Sequence, residues 1–250
     1  MFNLLGKNAL IVGAGGDLGF AISEALAEAG ASTVLMDIAP RVHDYANSLR
    51  ANGYQASSVL CDISVRDNIN PAVREANQFL DGTIDILVNA AGIQRRFSSE
   101  EFPIKEWDAV LEINLNATFL LAQSVVPAMF EKKYGKIINV ASIMSSFGGI
   151  NIPAYAASKG GLAQLTRALS NDWASRGIRV NAIAPGYFDT QMNTALLEDD
   201  KRVTEILMRT PAGRMGTPSD IKGIAVFLAA PASDYVTGTV IPVDGGYSSR

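Results

Sequence analysis

The chain has 250 residues, 48% of them hydrophobic and 18% charged, which is enough for the core of one large α/β domain or of two small ones. Its 21 basic and 25 acidic side chains leave a net charge of −4, which speaks against a nucleic-acid binder, whose footprint is basic. With Cys61 as the only cysteine and His43 as the only histidine, an intrachain disulfide and a usual zinc site are both excluded.

The opening stretch MFNLLGKNALIVGAG lacks the basic region, apolar core and small-residue cleavage site of a secretory leader. No uninterrupted apolar run approaches the roughly 18 residues of a spanning helix. The expectation is a cytoplasmic protein with no membrane partner. The mean hydropathy of +0.15 fits strands buried on both faces.

Short apolar, β-branched runs lie at 9–12, 33–36, 57–60, 84–88, 136–140, 179–184 and 239–243. Amphipathic helical patterns at 19–29, 104–132, 156–175 and 219–229 separate many of them. This alternation predicts a Rossmann-like, doubly wound α/β fold, in which a mostly parallel seven-stranded sheet carries helices on both faces. No linker or repeat divides the chain, so 1–250 reads as one domain. The irregular stretch 187–218 reads as a substrate lid.

The first strand runs into Gly13-Ala14-Gly15-Gly16-Asp17-Leu18-Gly19 and then a helix, which suits a dinucleotide pyrophosphate at the helix N-terminus. The second strand ends at Asp37, placed to accept hydrogen bonds from an adenosine ribose and to repel a 2′-phosphate. Ile38 follows it where an NADP-binding chain more often has a basic residue. NAD is therefore the expected cofactor, with Arg41 keeping NADP open. Cys61, Asp62 and Ile63 close the third strand beside the expected adenine, although Cys61 also reads as core. Asn89-Ala90-Ala91-Gly92 ends the fourth, where small residues let backbone approach a ligand and Asn89 can tie neighbouring strands.

Tyr155 and Lys159 are one helical turn apart and share a face. An ammonium beside a phenol favours the tyrosinate and lowers its pKa from about 10. Ser142, just past the fifth strand, can orient a substrate carbonyl, and Asn114, inside the long helix, can hold a water that links Lys159 to solvent.

In these residues, together with Pro185-Gly186 and Thr190, the chain resembles the short-chain dehydrogenase/reductase family over essentially its whole length. The resemblance implies Tyr155 as acid/base, Lys159 on the nicotinamide ribose, Ser142 on the substrate and Asn114 in a proton relay. It also implies contacts from Pro185, Gly186, Phe188 and Thr190 to the carboxamide and phosphates, with Tyr187 beside the substrate, and a homotetramer. Two positions depart from the pattern, Val12 where the family has Thr and Asp17 where it has Gly.

Arg95 and Arg96 follow the fourth strand and can clamp a carboxylate; the other reading is a solvated loop, paired with Glu100 and Glu101. Residues 92–107 and 185–188 resemble the gluconate 5-dehydrogenase and 2-deoxygluconate 3-dehydrogenase group, which implies a sugar acid as substrate. Two alternatives stand beside it: a 3-oxoacyl-carrier-protein reductase, and a catalytically silent dinucleotide-binding regulator.

Overall fold

The computed structural model describes residues 1–80 and 82–250. Among these residues lie seven strands: β1 (Asn8–Val12), β2 (Ser32–Asp37), β3 (Ala56–Leu60), β4 (Ile86–Asn89), β5 (Gly135–Val140), β6 (Ile178–Pro185) and β7 (Val240–Val243). All pair in parallel, in the order β3-β2-β1-β4-β5-β6-β7. Chain direction across the sheet reverses between β1 and β4, and a cleft opens there at the carboxyl ends.

The helices are α1 (Asp17–Glu28), α2 (Val42–Ala51), α3 (Arg66–Phe79), α4 (Ile104–Leu111), α5 (Ala117–Lys132), α6 (Pro153–Trp173), α7 (Thr194–Leu197), α8 (Asp200–Arg209) and α9 (Lys222–Ala229). The two-residue period of a strand sends Ala9 and Ile11 of β1 into one core, with Leu26 of α1, Leu49 of α2 and Leu228 of α9. Leu10 and Val12 enter the other, with Val73 of α3, Leu121 of α5 and Leu169 of α6. Burial on both faces explains why the strands are almost continuously apolar.

A π-helical turn, Glu112–Asn116, joins α4 and α5 into one rod, Ile104–Lys132. By length and composition this rod could cross a membrane, a feature the search for uninterrupted apolar runs did not reveal. In this fold Leu121, Val125 and Met129 are buried in the sheet core. Helix α6 starts earlier than expected, with Pro153 in its first turn, where the missing N–H costs nothing. The segment after β6 is less irregular than its sequence, since it forms α7 and α8, and the Asp199 carboxylate caps α8 through the Arg202 N–H.

Candidate active site

A cleft of about 440 Å³ lies over the β1/β4 switch point. Its nucleotide end is built by backbone contacts that only glycine allows. Gly13 has a φ of +85°, and a Cβ there would lie 2.2 Å from the Ala91 nitrogen. A Cβ on Gly19 would lie 2.1 Å from the Gly13 carbonyl oxygen. The first turn of α1 carries no side-chain cap, so its N–H groups can meet an anion.

Asp37 braces this turn. One of its carboxylate oxygens accepts from the Gly15 N–H and the other from the Ala39 N–H, each at 2.9 Å. Gly13, Gly16, Asp17, Leu18, Gly19, Asp37, Ile38, Cys61, Asp62 and Ile63 line the cleft, as do Ala90, Ala91 and Gly92. Two residues of the expected cofactor set stand outside that lining. Gly15 is buried behind the turn, and Asn89 donates to the Asn139 side chain at 2.9 Å, tying β4 to β5. Asp62 turns one carboxylate oxygen onto the N–H and hydroxyl of Ser64. Val12, 1% exposed, replaces the family's hydroxyl with core packing.

At the other end, Ser142, Tyr155 and Lys159 line the same cleft. The Lys159 ammonium lies 5.8 Å from the Tyr155 ring centroid and donates to the Val140 carbonyl at 2.7 Å. Burial depresses the Lys159 pKa from 10.5 to about 8. Burial also pushes the Tyr155 phenol above its ordinary 10, and the Ser142 hydroxyl pulls against that shift. The direction is opposite to the expected depression, because desolvation of the phenol dominates the shift. Both groups therefore move toward neutrality, so the phenol holds its proton.

Asn114 is fully buried in the π-helical turn and does not line the cleft. Its amide accepts from the Ile93 N–H at 2.8 Å and donates to the Ile93 carbonyl and the Ser158 hydroxyl, each at 3.0 Å. Both amide protons are thus committed within the protein. What the side chain does is lock the loop after β4 to α6, whose Ser158 hydroxyl in turn donates to the Tyr155 carbonyl. A π-turn supplies the extra backbone reach for this contact.

A family model described as enoyl-(acyl carrier protein) reductase matches residues 13–248, nearly the whole chain. The chain belongs to the short-chain dehydrogenase/reductase family. It is similar to the 2-dehydro-3-deoxy-D-gluconate 5-dehydrogenase of Bacillus subtilis (strain 168), 45% identical over 249 residues, covering 100% of this chain and 97% of that one. The 5-keto-D-gluconate 5-reductase of Escherichia coli (strain K12) is 42% identical over 247 residues, covering 98% and 97%. Among solved structures, a gluconate 5-dehydrogenase from Burkholderia cenocepacia J2315 in complex with NADP and tartrate superposes with a TM-score of 0.96 at 40% identity, covering 100% and 98%. This short-chain dehydrogenase/reductase is accordingly an NAD(P)-dependent oxidoreductase acting on a CH–OH group.

The cleft of this dehydrogenase suits a dinucleotide on its own terms. Beyond the glycine cradle and the uncapped α1, the Arg41 side chain lines the cleft with a buried Nε that has no hydrogen-bond partner among the described residues. The substrate end separates the two expected arginines. Arg95 is spent on Glu106, at 2.7 Å, rather than on Glu100 or Glu101, and lies outside the lining. Arg96 lines the cleft and has no carboxylate at ion-pair distance among the described residues. Tyr187 lines it too, its ring edge-on to Tyr247 with centroids 5.2 Å apart. Burial and Tyr247 push the Tyr187 phenol up, while Arg202 and Arg96 pull it down.

Pro185, Gly186, Phe188 and Thr190 also reach the cleft, but Phe188 is 2% exposed and its ring packs under Gly216. It holds the 187–218 segment from below. Gln94, Met144 and Ile152 line the cleft as well, with the sequence signal of ordinary residues, and so does the turn Gln191–Asn193 of the stretch read as a lid.

Proposed function

We propose that this enzyme interconverts a secondary alcohol and a ketone on an open-chain sugar acid of the gluconate type. The observation carrying the reading is Arg96, whose guanidinium has no carboxylate at ion-pair distance among the described residues and stands in the wall shared with Tyr155 and Ser142. The full-length similarity to enzymes named for keto-gluconates supports it. When bound, the nicotinamide supplies or accepts the hydride. The chain's own residues handle the proton and the geometry. Tyr155 transfers its phenolic proton to the substrate oxygen in reduction and recovers it in oxidation. Ser142 orients that oxygen, Lys159 stabilises the tyrosinate and holds the nicotinamide ribose, and Asn114 keeps the β4 loop and α6 in register. Gly13, Gly16, Leu18 and Gly19 cradle the pyrophosphate, while Pro185, Gly186 and Thr190 carry the nicotinamide end.

The deciding experiment is NADH and NADPH oxidation over a panel of keto-sugar acids and their neutral analogues. Turnover confined to neutral ketones or to carrier-bound acyl groups would sink the sugar-acid reading. Arg96→Ala should raise KM for an acid about 10- to 150-fold, the loss of one charge-assisted bond, and leave a neutral analogue nearly unchanged. Arg95→Ala, by contrast, should be nearly silent on both, because that side chain is occupied by Glu106. Equal effects of the two substitutions would mean that both only support the loop.

Cofactor choice follows from Asp37 and Arg41. The reading is a preference for NAD(H), because a 2′-phosphate meets the Asp37 carboxylate, with Arg41 keeping NADP(H) usable. Asp37→Ala should weaken both cofactors by releasing the Gly15 N–H, yet move the kcat/KM ratio toward NADP(H). Arg41→Ala should move it the other way, by roughly 10-fold or more if a charge-assisted bond to phosphate is lost. Ratios insensitive to either change would remove both residues from the choice.

The reading extends to a cytoplasmic homotetramer. In support, β7 ends the sheet with Val240, Ile241 and Val243 only half-buried, and Phe119 of α5 is exposed.

A further inference from the structure

Tyr187, which lines the cleft with Arg96, Ser142 and Tyr155, is held from two sides. Its backbone is pinned by Gly216, whose N–H donates to the Tyr187 carbonyl at 2.9 Å. Its ring meets that of Tyr247 edge-on. Tyr247 lies in a tightly packed turn after β7. There the Asp244 carboxylate accepts from the Gly246 and Ser248 N–H groups at 2.9 and 2.8 Å, and a Cβ on Gly246 would lie 2.9 Å from the Pro211 ring. Behind this pair stands Arg209, the last residue of α8. Its guanidinium carbon lies 4.3 Å from the Tyr247 ring centroid and 5.3 Å from that of Phe147. Nη1 donates to the Tyr247 hydroxyl at 3.4 Å, and Nη2 to the Arg250 carbonyl at 3.3 Å. No carboxylate among the described residues stands at ion-pair distance from Arg209.

We propose that Arg209 is a positioning residue for the substrate, which holds Tyr247 against Tyr187 and so fixes the Tyr187 ring in the wall that receives the acid end of a sugar acid. The inference rests on the sugar-acid reading. Arg96, the residue assigned there to the carboxylate, is near enough to Tyr187 to act on its phenol, so a carboxylate on Arg96 lies beside that ring. The physical basis is preorganisation. A half-buried aromatic ring turns about its side-chain bonds unless something packs against it, and a binding wall that is loose by about 1 Å loses affinity. A planar, weakly hydrated guanidinium stacks on aromatic faces where a carboxylate partner is absent. At the end of α8 its charge also complements the helix dipole. Phe147, its second ring, follows Ser142 on the loop after β5, so one cation ties the loop carrying Ser142 to the wall carrying Tyr187. Arg209, Tyr247 and Phe147 all stand outside the cleft lining, so Arg209 acts through Tyr187 and not by contact with the substrate.

The test is a double-mutant cycle on the full chain, read by Michaelis curves for a keto-sugar acid such as 5-keto-D-gluconate. Nucleotide titration and thermal melting run in parallel. Arg209→Met keeps the apolar stem and removes the guanidinium. It should raise KM about 3- to 30-fold, the range of a cation–π contact, and leave kcat and nucleotide affinity nearly unchanged. Arg209→Lys keeps a cation beside both rings and should recover most of that loss; a lysine no better than methionine overturns the proposal. Tyr187→Leu removes the ring itself and should raise KM at least as far. The double variant should then be no worse than Tyr187→Leu alone, because both changes act on one ring. Additive losses would show that Arg209 acts elsewhere, and a fall in kcat or in nucleotide affinity at unchanged KM would do the same. Should Arg209→Met fail to fold, Tyr247→Phe removes only the hydroxyl that Arg209 holds and is put through the same cycle, with a smaller rise expected. Absence of turnover of every keto-sugar acid by the parent protein would sink the sugar-acid reading itself. Parent turnover with additive variants sinks only the role of Arg209.

Discussion

Tyr155→Phe should lower turnover by roughly 10²- to 10⁴-fold, the usual cost of losing a general acid or base, while cofactor binding survives. The substitution removes one hydroxyl and leaves the ring, so packing at this partly buried position barely changes. The phenol sits above its ordinary pKa because burial disfavours the tyrosinate. A proton is therefore present at neutral pH for donation to a ketone oxygen. Ser142 opposes that shift, so Ser142→Ala should push the phenol higher still and misplace the substrate oxygen as well. Single-turnover reduction, with nucleotide affinity measured in parallel, checks the assignment. Retention of more than a tenth of parent turnover by a folded Tyr155→Phe protein would mean that another group moves the proton.

Lys159→Met should abolish most activity and at the same time make the protein more stable. Lys159 is 4% exposed, and burial takes its pKa from 10.5 to about 8. That drop corresponds to roughly 3 kcal/mol held against the charged form, of which about 1 kcal/mol is offset in the comparison because Val140 loses its hydrogen-bond donor. The sign follows from proton counting. Between pH 8 and 10.5 the unfolded chain binds the proton and the folded chain does not, so this group makes stability rise with pH across that window. Below about pH 8 the full penalty is present. The methionine variant should therefore gain about 1–2 kcal/mol at pH 7, and the gain should fade toward pH 10.5. Urea unfolding of both proteins at pH 7 and pH 10 reads this directly, and a pH-independent difference would refute the buried-charge account. Reduction needs Lys159 charged to stabilise the tyrosinate, so the parent's kcat/KM for ketone reduction should fall as pH rises past about 8. The residual activity of Lys159→Met should lack that break.

Most of the frame was legible because it depends on local period and punctuation. The seven apolar runs became the seven strands with ends shifted by at most two residues, since β-branched runs buried on both faces leave little else to form. Gly13 and Gly19 were readable as a cradle because their spacing sits between a strand and a helix. The Tyr155–Lys159 pair was readable because helical spacing by itself puts them on one face. The π-helical turn was not legible, since nothing in Glu112–Asn116 differs from α-helical composition; it coincides with Asn114 reaching across to Ile93 and Ser158.

Where the sequence was ambiguous, the missing quantity was always a distance across the fold. Arg95 and Arg96 are adjacent and chemically identical, and only the placement of Glu106 on α4 silences one and leaves the other facing the cleft. The direction of the Tyr155 shift could not be read from a neighbouring lysine, because desolvation is set by everything packed around the phenol. Asp17 reads in the sequence as a lost glycine, yet its hydrogen-bond partner, the Gln191 N–H, lies 174 residues away. The sequence by itself thus determined the sheet, the cradle and the catalytic pair, because strand and helix periods act between near neighbours. Tertiary structure alone decided which charges are paired and how far burial shifts them, because those energies depend on contacts between segments far apart in the chain.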